Sequence, residues 1–277
     1  FLEEARFGYD QKTHKIEVGK PIGQFYGYKT LGLYQVEDFD YNAKDQTYTL
    51  KEGIPYMSGT FNRSDIRPGM WKFDDRNGDK VIDDSDMSVI GNANPDFYGG
   101  LNNQFKYKGW DFNFFFTFSY GGEVLNATKL TNTKTATTNY SVLNIANSSN
   151  RWMTVNSEGQ LITDPEEMAA INAGRTVACI YDMEAGDKYI HSWAVEDASY
   201  LRLSNVNLGY TFDRKKLRNF NIQSLRLYFT GSNLFVWTPY SGFDPEVSTK
   251  GNNLTPGVDY GAYPRNRSYV FGLNITF

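Results

Sequence analysis

The sequence predicts an all-β protein built on long antiparallel strands, and three observations carry that prediction. The first is "WDFNFFFTFSY", residues 110–120. It sets Trp110, Phe112, Phe114, Phe116, Phe118 and Tyr120 at every second position, with Asp111, Asn113, Thr117 and Ser119 between them and Phe115 as the exception. Period-two alternation belongs to a strand with one apolar and one wet face. The second is composition: aromatic residues make up 16% of the 277, nearly all Phe and Tyr, the types that strands favour. The third is the alternation of short with long, polar connections between the expected strands, the arrangement of an outer-membrane barrel with short periplasmic turns and long extracellular loops. On these grounds alone two environments remain open. One is a barrel wall with lipid outside and water inside, the other a soluble sandwich.

The elements follow in chain order. An irregular strand is expected over 23–35, "GQFYGYKTLGLYQ". Phe97 to Tyr107 alternates, and the short "YKGW" turns it directly into 110–120, so 97–120 reads as a hairpin. In Tyr200 to Phe212 the apolar phase slips from Leu201 and Leu203 to Val206, Leu208 and Tyr210, which predicts a bulge near Ser204-Asn205. Ser224 to Trp237 slips likewise at Gly231-Ser232. The stretch from Arg265 closes the chain with Tyr269, Phe271, Leu273, Ile275 and Phe277 on one face, and only Val270 is out of phase. Asp164 to Ala173, with Pro165 in its first turn, reads as a short helix inside the longest connection. Connections 36–96, 121–198 and 238–264 are long; 107–110 and 213–223 are short.

A net charge of −4 gives no basic surface to follow phosphates and argues against a nucleic-acid partner. The single cysteine, Cys179, rules out an internal disulfide framework and reads as a small buried or loop residue. A metal or nucleophile role for it would have to recruit His14 or His191, the two histidines of the chain. No stretch reaches the roughly 20 apolar residues of a transmembrane helix, and mean hydropathy is −0.54. These values exclude a helical membrane protein but not a barrel, whose alternating strands average out. The chain starts at Phe1 without a leader and reads as a fragment or processed product.

The sharpest local motif is "DRNGDKVIDDSD", 75–86. Asp75, Asn77, Asp79, Asp83 and Asp86 occupy positions 1, 3, 5, 9 and 12 of an EF-hand-type loop, with the Val81 carbonyl at position 7 and Ile82 placed to anchor the loop. Calcium takes six or more hard oxygens, which this spacing can wrap round one ion. Lys80 stands where glycine normally turns the loop, and Asp86 replaces the longer bidentate Glu. The alternative is an acidic turn held by its own side-chain hydrogen bonds. Glu184, Glu196, Asp197, Asp244 and Glu246 could be drawn into carboxylate pairs, but separation in space rather than in sequence defines a glycosidase, and solvated acidic loops are the better reading. No nucleophile elbow, Walker loop or zincin motif occurs, so the chain is not read as an enzyme. Trp152, Trp193, Tyr240 and Tyr260 are loop aromatics able to stack on a sugar or an amphipathic solute, with ordinary packing as the competing role.

Taken as an ordered series, "PIGQFYGYKTLGLYQ" (21–35), "RPGMWKFDDRNGDKVIDDSDMSVIGNANPDFYGGLNNQFKYKGWDF" (67–112), "SYLRLSNVNLGYTF" (199–212), "LRLYFTGSNLFVWTPYSGFDPEV" (225–247) and "GVDYGAYPRNRSYVFGLNITF" (257–277) resemble the C-terminal part of SusC/RagA-type TonB-dependent outer-membrane transporters. The resemblance implies about six C-terminal strands of a large antiparallel transmembrane β-barrel, with the plug domain absent from this chain. It implies extracellular loops at 36–96, 121–198 and 238–264, which would place 75–86 outside the cell. It further implies outer-membrane lipid around the wall and the rest of the barrel and plug as partners. A SusD-like surface lipoprotein would cap the mouth, TonB would act through the missing N-terminal part, and the substrate would be a glycan or peptide. Phe277 fits the terminal aromatic that outer-membrane assembly recognises. Two other classes compete: a calcium-dependent binding or adhesion protein without transport, and a secreted glycan-degrading enzyme.

Overall fold

Five strands form one antiparallel sheet in plain chain order: β1 (Phe97–Tyr107), β2 (Trp110–Tyr120), β3 (Tyr200–Thr211), β4 (Ser224–Trp237) and β5 (Ser268–Thr276). The computed structural model describes residues 2–6, 10–58, 61–133, 142–180, 189–217, 219, 221–249 and 253–277. It falls into two units. The wall unit holds the sheet within Asn94–Val124, Glu196–Val247 and Ala262–Phe277; the loop unit gathers Phe1–Ala93, Leu125–Val195 and Ser248–Gly261.

In the wall unit the registers bring the apolar faces of all five strands together. Phe105, Phe112, Leu208, Phe229 and Phe271 stand side by side in one row across the sheet, and Tyr107, Trp110, Tyr210, Leu227 and Leu273 in the next. A one-residue slip in any strand would break these rows. Rings meet along them, with Phe112 and Phe114 centroids 5.5 Å apart and Phe229 and Phe271 5.0 Å apart. Among the described residues no protein layer covers this face: Phe271 is 80% exposed and Phe105 55%. An apolar surface of that extent is stable against lipid, not water.

Both expected phase slips are present. Register shifts between Leu203 and Asn205, so Ser204 is the bulge residue. On β4 the slip falls a little later than expected. Pairing jumps from Ser232 to Phe235, and Asn233 carries φ +51°. The 107–110 link is a tight turn with Lys108 at φ +46° and Gly109 at φ +87°, the pair of left-handed residues that a type I′ hairpin demands. The irregular 23–35 segment departs from expectation. It forms two short strands of the loop unit, Gln24–Gly27 and Thr30–Leu33, the first paired with Ser88–Asn92 and the second with Trp71–Phe73. The wall sheet therefore holds five strands among the described residues, not six.

The long connections are not structureless. Within the loop unit they share a core that includes Trp71, Phe73, Ile82, Trp152, Ile162 and Met168. A second cluster packs Phe25, Leu125, Ile190 and Val258. The helix is Pro165–Asn172, and Asp164 caps it by accepting from the Glu166 and Glu167 amides at 2.8 and 3.0 Å. Among the described residues no helix is long and apolar enough to cross a membrane.

Candidate functional site

The face of the sheet opposite the rings is polar and internally paired. Asp111 on β2 lies beside Gly209 on β3. Because Gly209 has no side chain, Arg226 on β4 reaches over it and donates to Asp111 Oδ2 at 2.6 Å. One step along, Thr230 donates to Asn207 Oδ1 at 2.7 Å, and Asn113 donates to Asn102 Oδ1 at 2.7 Å. Thr117 and the bulged Ser204 share a 2.7 Å hydroxyl–hydroxyl bond. The expected exception, Phe115, lies over Gly100 of the same hairpin, and the Tyr228 ring covers Gly272 in the same manner. Both glycines leave room for a ring to lie flat on a face that otherwise carries amides and charges. This is a wet, hydrogen-bonded surface, suited to lining a solvated lumen.

At the end of the sheet where the long connections depart, two guanidiniums and two carboxylates interlock. Arg202 Nη2 donates to Asp244 Oδ1 at 2.7 Å, and its Nε sits 3.0 Å from Glu246 Oε2. Arg265 approaches the same pair at 3.3 and 3.0 Å. Arg202 and Asp244 are buried, so each charge depends on the others for compensation. The sequence offers Asp244 and Glu246 as carboxylates but not their partners, since Arg202 lies 42 residues before Asp244 and Arg265 beyond a long connection. The remaining carboxylates drawn up earlier are engaged separately: Glu196 accepts from the Ser241 amide and hydroxyl, Asp197 from the Ser199 amide. Glu184 lies outside the described residues.

In the acidic loop of the loop unit, Asp75 accepts from the Gly78 and Lys80 amides, Asn77 from Asp79, and Asp79 from Val81. Asp83 caps the turn Asp84–Asp86 through Ser85, whose hydroxyl and amide hold the Asp83 carboxyl below its usual range. Asp86 is fully buried and accepts from the Arg76 and Asp83 amides. Lys80 takes φ +69° itself, so the left-handed turn that position 6 requires is made without glycine, at a cost of about 1 kcal/mol. Ile82 anchors the loop as expected, fully buried and paired through Met57. Among the described residues no three acidic, imidazole or thiol groups converge on one point. An ionised carboxylate offers about four lone-pair sites, so the oxygen types suit calcium, but an ion would have to draw these carboxylates together from the amides that hold them.

The stacking candidates divide. Trp152 is 2% exposed, its indole packed over Gly69, and Tyr240 is buried against Val124 and Ala198. Burial withdraws both from contact with a solute, which corrects the sequence expectation. Trp193 is half-buried, 5.0 Å from the Trp71 ring and with the Lys129 ammonium 4.1 Å above it, so its faces are largely taken by the protein. Tyr260 keeps an accessible ring. Phe277 is exposed, in phase with the lipid-side rings of β5.

Neither histidine meets the buried Cys179 as a partner. His14 is bonded to Thr13 Oγ1 and to the Pro256 carbonyl. His191 is fully buried among Trp71, Phe73 and Trp193 with neither ring nitrogen bonded to protein. Burial, with a smaller push from Lys129, lowers its pKa to about 3.

No family model matches the chain. It is 34% identical over 283 residues to "TonB-dependent receptor P3" of Formosa agariphila, covering 100% of this chain and 24% of the relative. It is 30% identical over 207 residues to "TonB-dependent receptor SusC" of Bacteroides thetaiotaomicron, covering 74% of this chain and 17% of the relative. The chain thus spans about a quarter or less of the length of the curated relatives it matches. Among solved structures it resembles the RagAB peptide transporter (TM-score 0.57) and the RagAB peptide importer in the closed-closed state (TM-score 0.58). Both are 19% identical, and each comparison covers 96% of this chain and 24% of the other; at that identity the likeness speaks for the fold. Homology over the whole of this chain, an in-register sheet with one lipid-compatible face and the shared barrel fold together show that the chain belongs to the SusC/RagA-type TonB-dependent receptors of the bacterial outer membrane.

Proposed function

We propose that this chain contributes wall strands and loops to a TonB-dependent importer that takes up oligosaccharides or peptides together with a SusD-like surface lipoprotein. The observation that carries the reading is the two-faced sheet. One continuous apolar face spans five strands, and the other is polar and hydrogen-bonded, as a solvated conduit through lipid requires. In this reading 36–96, 121–198 and 238–264 are extracellular, further wall strands and a plug complete the barrel, and TonB acts on the plug. The Tyr260 ring, accessible to solvent, is the candidate for solute contact, and Phe277 serves assembly. Calcium at Asp75–Asp86 would stiffen the loop. Oxygens of Asp75, Asn77, Asp79, Asp83 and Asp86 with the Val81 carbonyl would supply the ligands.

The test uses the full-length receptor in its own membrane. A SusD-like lipoprotein should co-purify with it, and uptake of labelled oligosaccharide or peptide should stop when the proton-motive force is collapsed. A receptor that purifies alone, with uptake indifferent to the proton gradient, refutes the proposal.

A further inference from the structure

A cavity of about 420 Å³ lies within the loop unit, lined by Tyr48, Arg67, Pro68, Thr154, Ile162 and Met168 among others. Its volume falls in the range of small-molecule sites, and such sites combine apolar walls with a few placed polar groups. Ile162 and Met168 form a buried apolar floor. The Tyr48 ring lines this space and is held by Tyr41 at 4.9 Å and Phe39 at 6.1 Å, while its hydroxyl is shielded and so is not offered to a ligand.

The polar group that addresses this space is Arg67, which lines it and is exposed. One of its terminal nitrogens donates to the Ser64 and Ile66 carbonyls. Among the described residues no carboxylate pairs with it. Asp65, also on the rim, is turned to Asn62, whose amide and side chain donate to Asp65 Oδ2 at 3.1 and 2.9 Å. A guanidinium with an unused planar edge beside an apolar recess recognises a carboxylate that carries an apolar group.

We propose that this cavity is a binding site for a small organic carboxylate bearing an aryl or branched alkyl group, with the carboxylate at Arg67 and the apolar group on Ile162 and Met168. The shared chemistry covers a free acid and the C-terminal residue of a longer ligand. The site belongs to the loop unit alone and does not depend on the import reading.

The experiment titrates the detergent-solubilised full-length receptor with 3-phenylpropanoate, with its neutral methyl ester and with N-acetylphenylalanine, followed by saturation-transfer NMR. Saturable binding of both acids is expected, with Arg67→Gln weakening the acids about tenfold or more while leaving the ester unchanged. Acids of both kinds binding alike indicates a site open to chain ends; the free acid alone indicates a metabolite site. Thr154→Trp, which fills the cavity, should abolish binding. The proposal is overturned by an absence of saturable binding to the unaltered receptor up to about 10 mM. Acid affinity indifferent to Arg67→Gln overturns it equally.

Discussion

Replacing Phe114 by Arg tests the assignment of faces most directly. Phe114 is the fifth of the eleven residues of β2, opposite Asn103 on β1 and Val206 on β3. At about 3.3 Å per residue and a tilt of about 45°, it lies roughly 9 Å in depth from Trp110, close to the middle of an apolar band of about 25 Å. Arg at that depth costs about 2–4 kcal/mol. The substitution also removes ring contacts with Phe112 at 5.5 Å, Phe116 at 5.6 Å and Phe105 at 6.1 Å, each worth about 0.5–1.5 kcal/mol. Phe114→Ala measures that second part, so the Arg-minus-Ala difference isolates the lipid term. Thr117→Arg, on the opposite face, loses one hydroxyl bond to Ser204, about 0.5–1.5 kcal/mol. The assay is urea unfolding of the full-length receptor in lipid vesicles, read by heat-modifiable gel mobility. Equal costs at 114 and 117, or Arg at 114 costing no more than Ala, would refute the reasoning.

Three further outcomes follow from the geometry. His191 is buried neutral with a pKa lowered to about 3; the unfolded chain takes up a proton near the ordinary value of about 6.5, so the loop unit loses stability as pH falls below it. The loss is about 2 kcal/mol by pH 5, and melting curves of His191→Phe should show a flatter acid limb than the unaltered receptor. Arg202→Ala removes the buried partner of Asp244 and leaves it only the half-exposed Arg265, so it should cost up to about 3–5 kcal/mol, visible as early proteolysis in 238–247; a cost below about 1 kcal/mol would mean that the cluster is solvated. Calcium titration should raise hydrogen-exchange protection over 75–86, and Asp86→Asn should abolish the gain while magnesium gives little. No change in protection at millimolar calcium disposes of the metal reading.

Much of the wall was legible in the sequence because its rule is local. A strand between lipid and water must alternate, so the phase of Trp110 to Tyr120, the Ser204 bulge and the apolar face of β5 could be assigned without neighbours. Local reading was less accurate on β4, where the slip depends on how Asn233 and Leu234 are passed over in pairing with β3. It failed on 23–35. Four-residue strands carry too few alternations to reveal their partners, and here those partners lie some forty to sixty residues on.

The sequence by itself determined the class of strand, the side of each strand that meets lipid, the helix started by Asp164 and Pro165, and the spacing of the acidic loop. Tertiary structure alone decided that the long connections share a core. It also decided that Trp152 and Tyr240 are packing residues, that Arg202 is neutralised by Asp244 and Glu246, and that Tyr48 and Arg67 border one cavity. The physical reason is the range of the constraint. Alternation is imposed residue by residue by the two solvents on either side of a sheet. Burial of Trp152 over Gly69, by contrast, is imposed by packing between segments about eighty residues apart, and no periodicity in either segment encodes it.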